Sequence, residues 1–313
     1  MKKTVWIAVV LAFITIPVVF GVVRKDHTMD RVLVDRMHTS PDSHFLTLNG
    51  QQVHYVDVGH GDETILAIHG LGGFAYNFEL MFDELGDDYR IVAVDLPGFG
   101  MSDFPPVTDT TDLLGMYRTF LTDFVDTVGL DTFHVVGNSL GGWMSWELAA
   151  TIPERVETVT LLASAGYDVE KLRNHLIGIL KIPLMKRAVR KGVPPAFKDL
   201  VLRRIFYDDS FARDERAQVW VDFMNRDGTI ETMLTMAESD VVADTTRIAS
   251  LPMPVLIIWG ENDKIIPVEH ANRFERDIAR DSLIIYPACG HAPMIENAEQ
   301  CADDIRSFIR TKS

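Results

Sequence analysis

The chain has 313 residues, 47% of them hydrophobic and 24% charged, which suits one large α/β domain or a domain carrying an insertion. A net charge of −15 argues against nucleic acid as a partner. Two cysteines, Cys289 and Cys301, do not make a disulfide framework. No Cys/His cluster has zinc-ligand spacing and no phosphate-binding glycine loop follows a strand, so neither metal nor cofactor is expected.

In chain order, Lys2 and Lys3 precede an uncharged run from Thr4 to Val23. Twenty helical residues span roughly 30 Å, the depth of a bilayer core. Residues 1–23 therefore read as an N-terminal hydrophobic helix and membrane anchor, with a cleaved signal peptide as the alternative. A signal-anchor would place the domain on the outer, periplasmic face; cleavage would leave it periplasmic or secreted. Residues 24–43 are charged without sustained periodicity and read as a tether, the alternative being a short amphipathic helix packed on the domain.

From residue 44 strands alternate with helices. His44–Leu48 and Gln52–Val58 flank Asn49-Gly50, a hairpin signal. Thr64–Ile68, Arg90–Val94, Phe133–Gly137 and Val156–Leu162 read as strands, separated by helical patterns at Asn77–Leu85, Asp112–Val128 and Trp143–Ala150. Residues 168–247 are helical with no strand. Val255–Trp259 and Ser282–Tyr286 resume the strand rhythm, and Glu299–Arg310 closes as a helix. This order predicts a mostly parallel eight-stranded sheet flanked by helices. Residues 44–167 and 248–313 form the core, and 168–247 a helical lid inserted between two strands.

The chemistry gathers where strands end. Gly137-Asn138-Ser139-Leu140-Gly141-Gly142 lies between an apolar strand and a helix, the context of a nucleophile elbow, with Ser139 in the turn. A serine hydroxyl needs a base, commonly a histidine held by a carboxylate. His291 follows the last strand and Asp263 the one before it; Glu261 and Asp168 are the competing acids. Ser139, Asp263 and His291 can then meet at the carboxyl edge of the sheet. An oxyanion would be held by the N–H of Leu140 and the N–H of Leu71, in the loop His69-Gly70-Leu71-Gly72-Gly73.

These motifs, with the loop Asp95-Leu96-Pro97-Gly98-Phe99-Gly100, make residues 44–310 resemble the α/β-hydrolase superfamily. The resemblance implies an α/β-hydrolase fold and a cofactor-free serine hydrolase. Its acid–base pair would be Asp263 and His291. Ser139 sets the chain apart from relatives that use aspartate as nucleophile. The elbow is similar to that of carbon–carbon bond hydrolases of ring-cleavage products, which place tryptophan after the histidine where this chain has Ala292. The overall layout resembles membrane-anchored monoacylglycerol lipases. A small-molecule carboxylic ester or lipid is thus the expected substrate, and carbon–carbon cleavage the alternative. From Lys171 to Lys191 there are seven Lys/Arg and no Asp/Glu, interleaved with apolar residues. Such a lid segment suits an anionic membrane surface, or equally a solvated outer face. For carbon–carbon cleavage a carboxylate-binding arginine would come from Arg173, Arg187, Arg190, Arg203 or Arg204.

Overall fold

Asn49 and Gly50 both take positive φ, 51° and 80°, so the chain reverses in two residues and its first two strands pair in register. The computed structural model describes residues 26–107, 111–167, 183–194, 198–212, 215–239 and 243–312. The hydrophobic run 4–23 and Asp168 lie outside them. Among the described residues no helix is long and apolar enough to cross a membrane.

The elements in order are α1 (Arg31–His38), β1 (Ser43–Leu48), β2 (Gln51–Val58), β3 (Glu63–Ile68), a 3-10 turn (Ala75–Phe78), α2 (Glu79–Leu85), β4 (Tyr89–Val94), α3 (Leu113–Val128), β5 (Phe133–Asn138), α4 (Leu140–Thr151) and β6 (Val156–Leu162). Then come α5 (Pro183–Val189), α6 (Lys198–Ile205), α7 (Glu215–Asn225), α8 (Thr229–Glu238), β7 (Val255–Gly260), α9 (Glu269–Asp277), β8 (Asp281–Tyr286), α10 (Pro293–Glu296) and α11 (Ala298–Lys312).

One eight-stranded sheet runs β1-β2-β4-β3-β5-β6-β7-β8. The β1/β2 and β2/β4 pairings are antiparallel and the rest parallel. Both faces are buried, which is why β5 and β7 read as continuous apolar runs. Alternate side chains divide between two cores. Leu66, Ile68, Ile257 and Trp259 pack with α3 and α4, whereas Ile65, Ala67, Leu256 and Ile258 pack with α2 and α11.

The inserted segment between β6 and β7 contributes α5 to α8. Within it Lys186 pairs with Glu238 (2.6 Å) and Arg190 with Glu231 (2.7 Å). Two charges of the basic run are thus met by acids of α8, and residues 171–182 of that run lie outside the described segments.

Part of the expected tether is a docked helix. Asp30 caps α1 by accepting the Leu33 N–H, and Val34 is fully buried. Asp35 receives a two-pronged ion pair from Arg226 at the end of the lid's α7 (2.7 and 3.1 Å), and His38 meets Asp222 (3.1 Å). This is the alternative reading of the stretch, a short helix packed on the domain; with a single buried residue it leaves little periodicity to read. Helix α9 likewise gave no pattern; only Ala271 and Phe274 of it are buried.

Candidate active site

β5 ends at Asn138, α4 begins at Leu140, and Ser139 stands between them at φ 56°, ψ −116°. This is a sparsely populated conformation for a side-chain-bearing residue, costing about 1–3 kcal/mol. The surroundings enforce it. The Ser139 N–H donates to Leu162 O, and Ser139 O accepts from Trp143 and Ala165. The helix can approach because Gly137 and Gly141 lack a Cβ. One on Gly137 would sit 2.2 Å from Gly141 O, and one on Gly141 2.0 Å from Ile68 O.

Asn138, a residue sequence reasoning gave no role, ties this turn to the next functional loop. Its Nδ2 donates to Leu162 O and to His291 O, both at 3.0 Å. His291 lies beyond β8, with its Nδ1 2.7 Å from Asp263 Oδ2. Asp263 follows β7; its Oδ1 accepts the N–H groups of Ile265 and Ile266 (2.7 and 2.9 Å). Nδ1–H donating to a carboxylate fixes the tautomer and leaves Nε2 as the basic nitrogen. Of the competing acids, Glu261 is exposed and Asp263 holds the histidine. The His291 loop is also fastened to the lid. The His291 N–H donates to Ile205 O (2.7 Å), and Glu296 accepts from both Gly290 N–H (2.8 Å) and Tyr207 N–H (2.6 Å).

The loop after β3 lies against the elbow: a Cβ on Gly70 would come 3.1 Å from Ser139 Cβ. His69, fully buried, shapes this loop. Its Nε2 accepts the Leu96 N–H (2.9 Å), so Nδ1 carries the proton and donates to Gly70 O (2.7 Å). Burial holds its pKa below the ordinary 6.5, against the opposing pull of Asp95. Among the described residues neither the Leu71 nor the Leu140 amide donates a hydrogen bond. Asp95 braces the neighbouring turn, accepting from Ala75 N–H (2.6 Å), Met101 N–H (2.8 Å) and His54 Nδ1 (2.7 Å). Burial would raise its pKa, yet His54 beside it holds the carboxyl below the usual range. The loop motif Asp95–Gly100 is therefore a structural brace.

Ser139, His291 and Leu71 line one cavity of about 360 Å³. Its wall is largely apolar, drawing Leu202 from α6, Phe206 just beyond it, Trp220 from α7 and Met294 from α10. Its polar lining, besides Ser139 and His291, is His38 at the end of α1 with Thr39 and Ser40 just beyond it, Tyr76 and Asn77 of the 3-10 turn, Glu79 of α2, Asn138, and Arg216 on α7. Arg216 was absent from the arginines expected to serve the pocket, and no local pattern marks it. Of those that were, Arg190 pairs with Glu231, Arg203 pairs with Asp209, and Arg173 lies outside the described residues. Cys289 and Cys301 are both free and buried, and burial pushes both thiols well above their usual range.

A family model described as "Alpha/beta hydrolase family" matches residues 65–304. The chain is 30% identical to the 2-hydroxy-6-oxo-6-(2'-aminophenyl)hexa-2,4-dienoic acid hydrolase of Metapseudomonas resinovorans, over 86% of this chain and 91% of that one. It is 30% identical to Lipase 1 of Psychrobacter immobilis, over 84% and 82%. It is 29% identical over 81% of its length to the dihydrolipoyllysine-residue acetyltransferase component of the acetoin cleaving system of Cupriavidus necator, and spans 65% of that protein. Among solved structures, the meta-cleavage product hydrolase of Pseudomonas fluorescens IP01 superposes with a TM-score of 0.74 at 25% identity, covering 86% of this chain and 98% of that one.

Proposed function

The chain belongs to the alpha/beta hydrolase family, and from that premise we propose that it is a serine hydrolase cleaving carboxylic esters with an apolar acyl group. The observation that carries this reading is an apolar cavity opening on Ser139 and on a histidine already bonded to a buried carboxylate. In the proposed cycle Ser139 Oγ attacks the ester carbonyl while His291 Nε2 takes its proton. Asp263 holds the resulting imidazolium, and the N–H groups of Leu71 and Leu140 receive the oxyanion. The C–O bond breaks as His291 returns the proton to the leaving alcohol. Water then attacks the acyl-enzyme by the same route, releasing the acid and restoring Ser139. We read residues 4–23 as holding this domain at a membrane, on the strength of their uncharged length.

A second reading has specific support. Of the relatives named above one is a hydrolase of a hexa-2,4-dienoic acid and one a meta-cleavage product hydrolase, and in this reading Arg216, which lines the cavity, is the group assigned to a substrate carboxylate. The same three side chains would then serve carbon–carbon cleavage. Ala292, where those enzymes commonly carry tryptophan, favours the ester.

One experiment separates the two. The purified protein is offered p-nitrophenyl esters of graded acyl length and a vinylogous diketone acid. Ester turnover that rises with acyl length, with no diketone cleavage, is the expected result. Diketone turnover exceeding every ester, and lost in Arg216→Met, would replace the ester reading with the second. No turnover of either class would remove both.

A further inference from the structure

At the end of the sheet opposite the cavity, the amino ends of β3, β5 and β6 bring together Glu63, His134 and Glu157. The backbone explains how. Phe133 pairs with Val156 and Val135 with Val159, so His134 alone faces two residues of β6, Glu157 and Thr158. Such a bulge re-aims the extra side chain. Both β6 side chains thereby reach the same imidazole. Thr158 Oγ1, buried, lies 2.9 Å from His134 Nδ1. Glu157 Oε2 and Glu63 Oε1 each lie 3.6 Å from His134 Nε2.

The His134 side chain is only 2% exposed, and among the described residues its Nε2 has no hydrogen-bond partner. Buried polar atoms are rarely left so. The two carboxylate oxygens are too far for an N–H···O bond, which would close to about 2.9 Å. They are well spaced for a shared ion. Zinc takes nitrogen and carboxylate oxygen at about 2.1 Å, which sets neighbouring atoms of a tetrahedron roughly 3.4 Å apart. The three donor atoms all lie within 4.8 Å of one another.

We propose that Glu63, His134 and Glu157 form a zinc site, with solvent in the fourth position. Thr158 accepts the Nδ1 proton, which turns the Nε2 lone pair toward the ion and fixes the ring. An imidazole in the donor set selects zinc over magnesium or calcium, which prefer oxygen alone. The glutamates are 45% and 42% exposed, leaving the ion a path from solvent. No Cys/His motif announced these ligands because each comes from a different strand. The site lies five residues from Ser139 along β5, about 16 Å away. Its role is to clamp three adjacent strands, and it stands independently of the proposed hydrolysis.

The full-length protein, stripped with a chelator, is titrated with Zn²⁺ by calorimetry and in parallel by thermal unfolding. One equivalent should bind and raise the unfolding midpoint, and Mg²⁺ should do neither. Glu63→Gln and Glu157→Gln, both at the solvent side and expected to fold, should each weaken binding at least about 10-fold. Absence of stoichiometric binding, or one-site binding unmoved by both substitutions, would overturn the assignment.

Discussion

At Asp263 one carboxylate serves three donors: the His291 ring and the N–H groups of Ile265 and Ile266. The two backbone donors point the carboxylate, and the third bond sets the tautomer. Asp263→Asn would keep the shape and offer an amide N–H or a weaker acceptor to the ring. Turnover should fall about 10³–10⁴-fold while the chain stays folded, measured as kcat beside the thermal midpoint. His69 makes a different prediction. Its lone pair accepts the Leu96 N–H, and its pKa is depressed, so protonation sets two donors against each other. A depressed base contributes stability above its unfolded value of 6.5 and loses it as pH falls through the folded value. The denaturant midpoint should therefore drop from roughly pH 8 to pH 5, and less steeply in His69→Gln, which does not titrate. Equal slopes in the two proteins would contradict this. At this scale the places of Ser139, Asp263 and His291 were legible because each sits just past a strand in a short glycine-bearing loop. His69 and Asn138 were not assigned roles, since their partners, Leu96 and the His291 carbonyl, are brought close only by the fold.

Among the elements, the strands and their order followed from apolar runs cut by glycine-bearing turns. The lid's internal geometry did not, and neither did α1. What fixes α1 is a partner 191 residues away. Arg226, 3% exposed, spends its guanidinium on Asp35 and on the carbonyls of Met101 and Ser102. This pair, a buried guanidinium on a half-buried carboxylate, joins α1, the end of the lid's α7 and the loop after β4. Residues Met37 to Ser40, at the end of α1 and just beyond it, then form part of the cavity wall. Asp35→Asn leaves a buried guanidinium without its counter-charge and should destabilise by about 3 kcal/mol. A urea midpoint within about 0.5 kcal/mol of the parent would show that α1 is not held this way. The same lesson applies to the basic run of the lid. Its composition suited a membrane face and a solvated outer face equally, and two of its charges are paired across to α8.

For the molecule as a whole, the lid is tied to the loop that carries His291. The His291 N–H reaches Ile205 O at the end of α6, and Glu296 spans Gly290 and Tyr207. The sheet positions Ser139, the proposed nucleophile, and the lid helps hold His291, the proposed base. Lid side chains such as Arg216 and Trp220 line the cavity, and no local pattern encodes their arrival there. The gathering of the candidate residues was readable from the strand ends because parallel strands bring their carboxyl edges together whatever the lid does. Everything rests on Ser139 being the activated nucleophile. The direct measurement is to react the folded protein with a fluorophosphonate and map the adduct by mass spectrometry. One phosphonyl group per chain, on the peptide bearing Ser139 and absent after unfolding or in Ser139→Ala, is the expected result. A folded protein that takes up no label, or takes it on another residue, would contradict it.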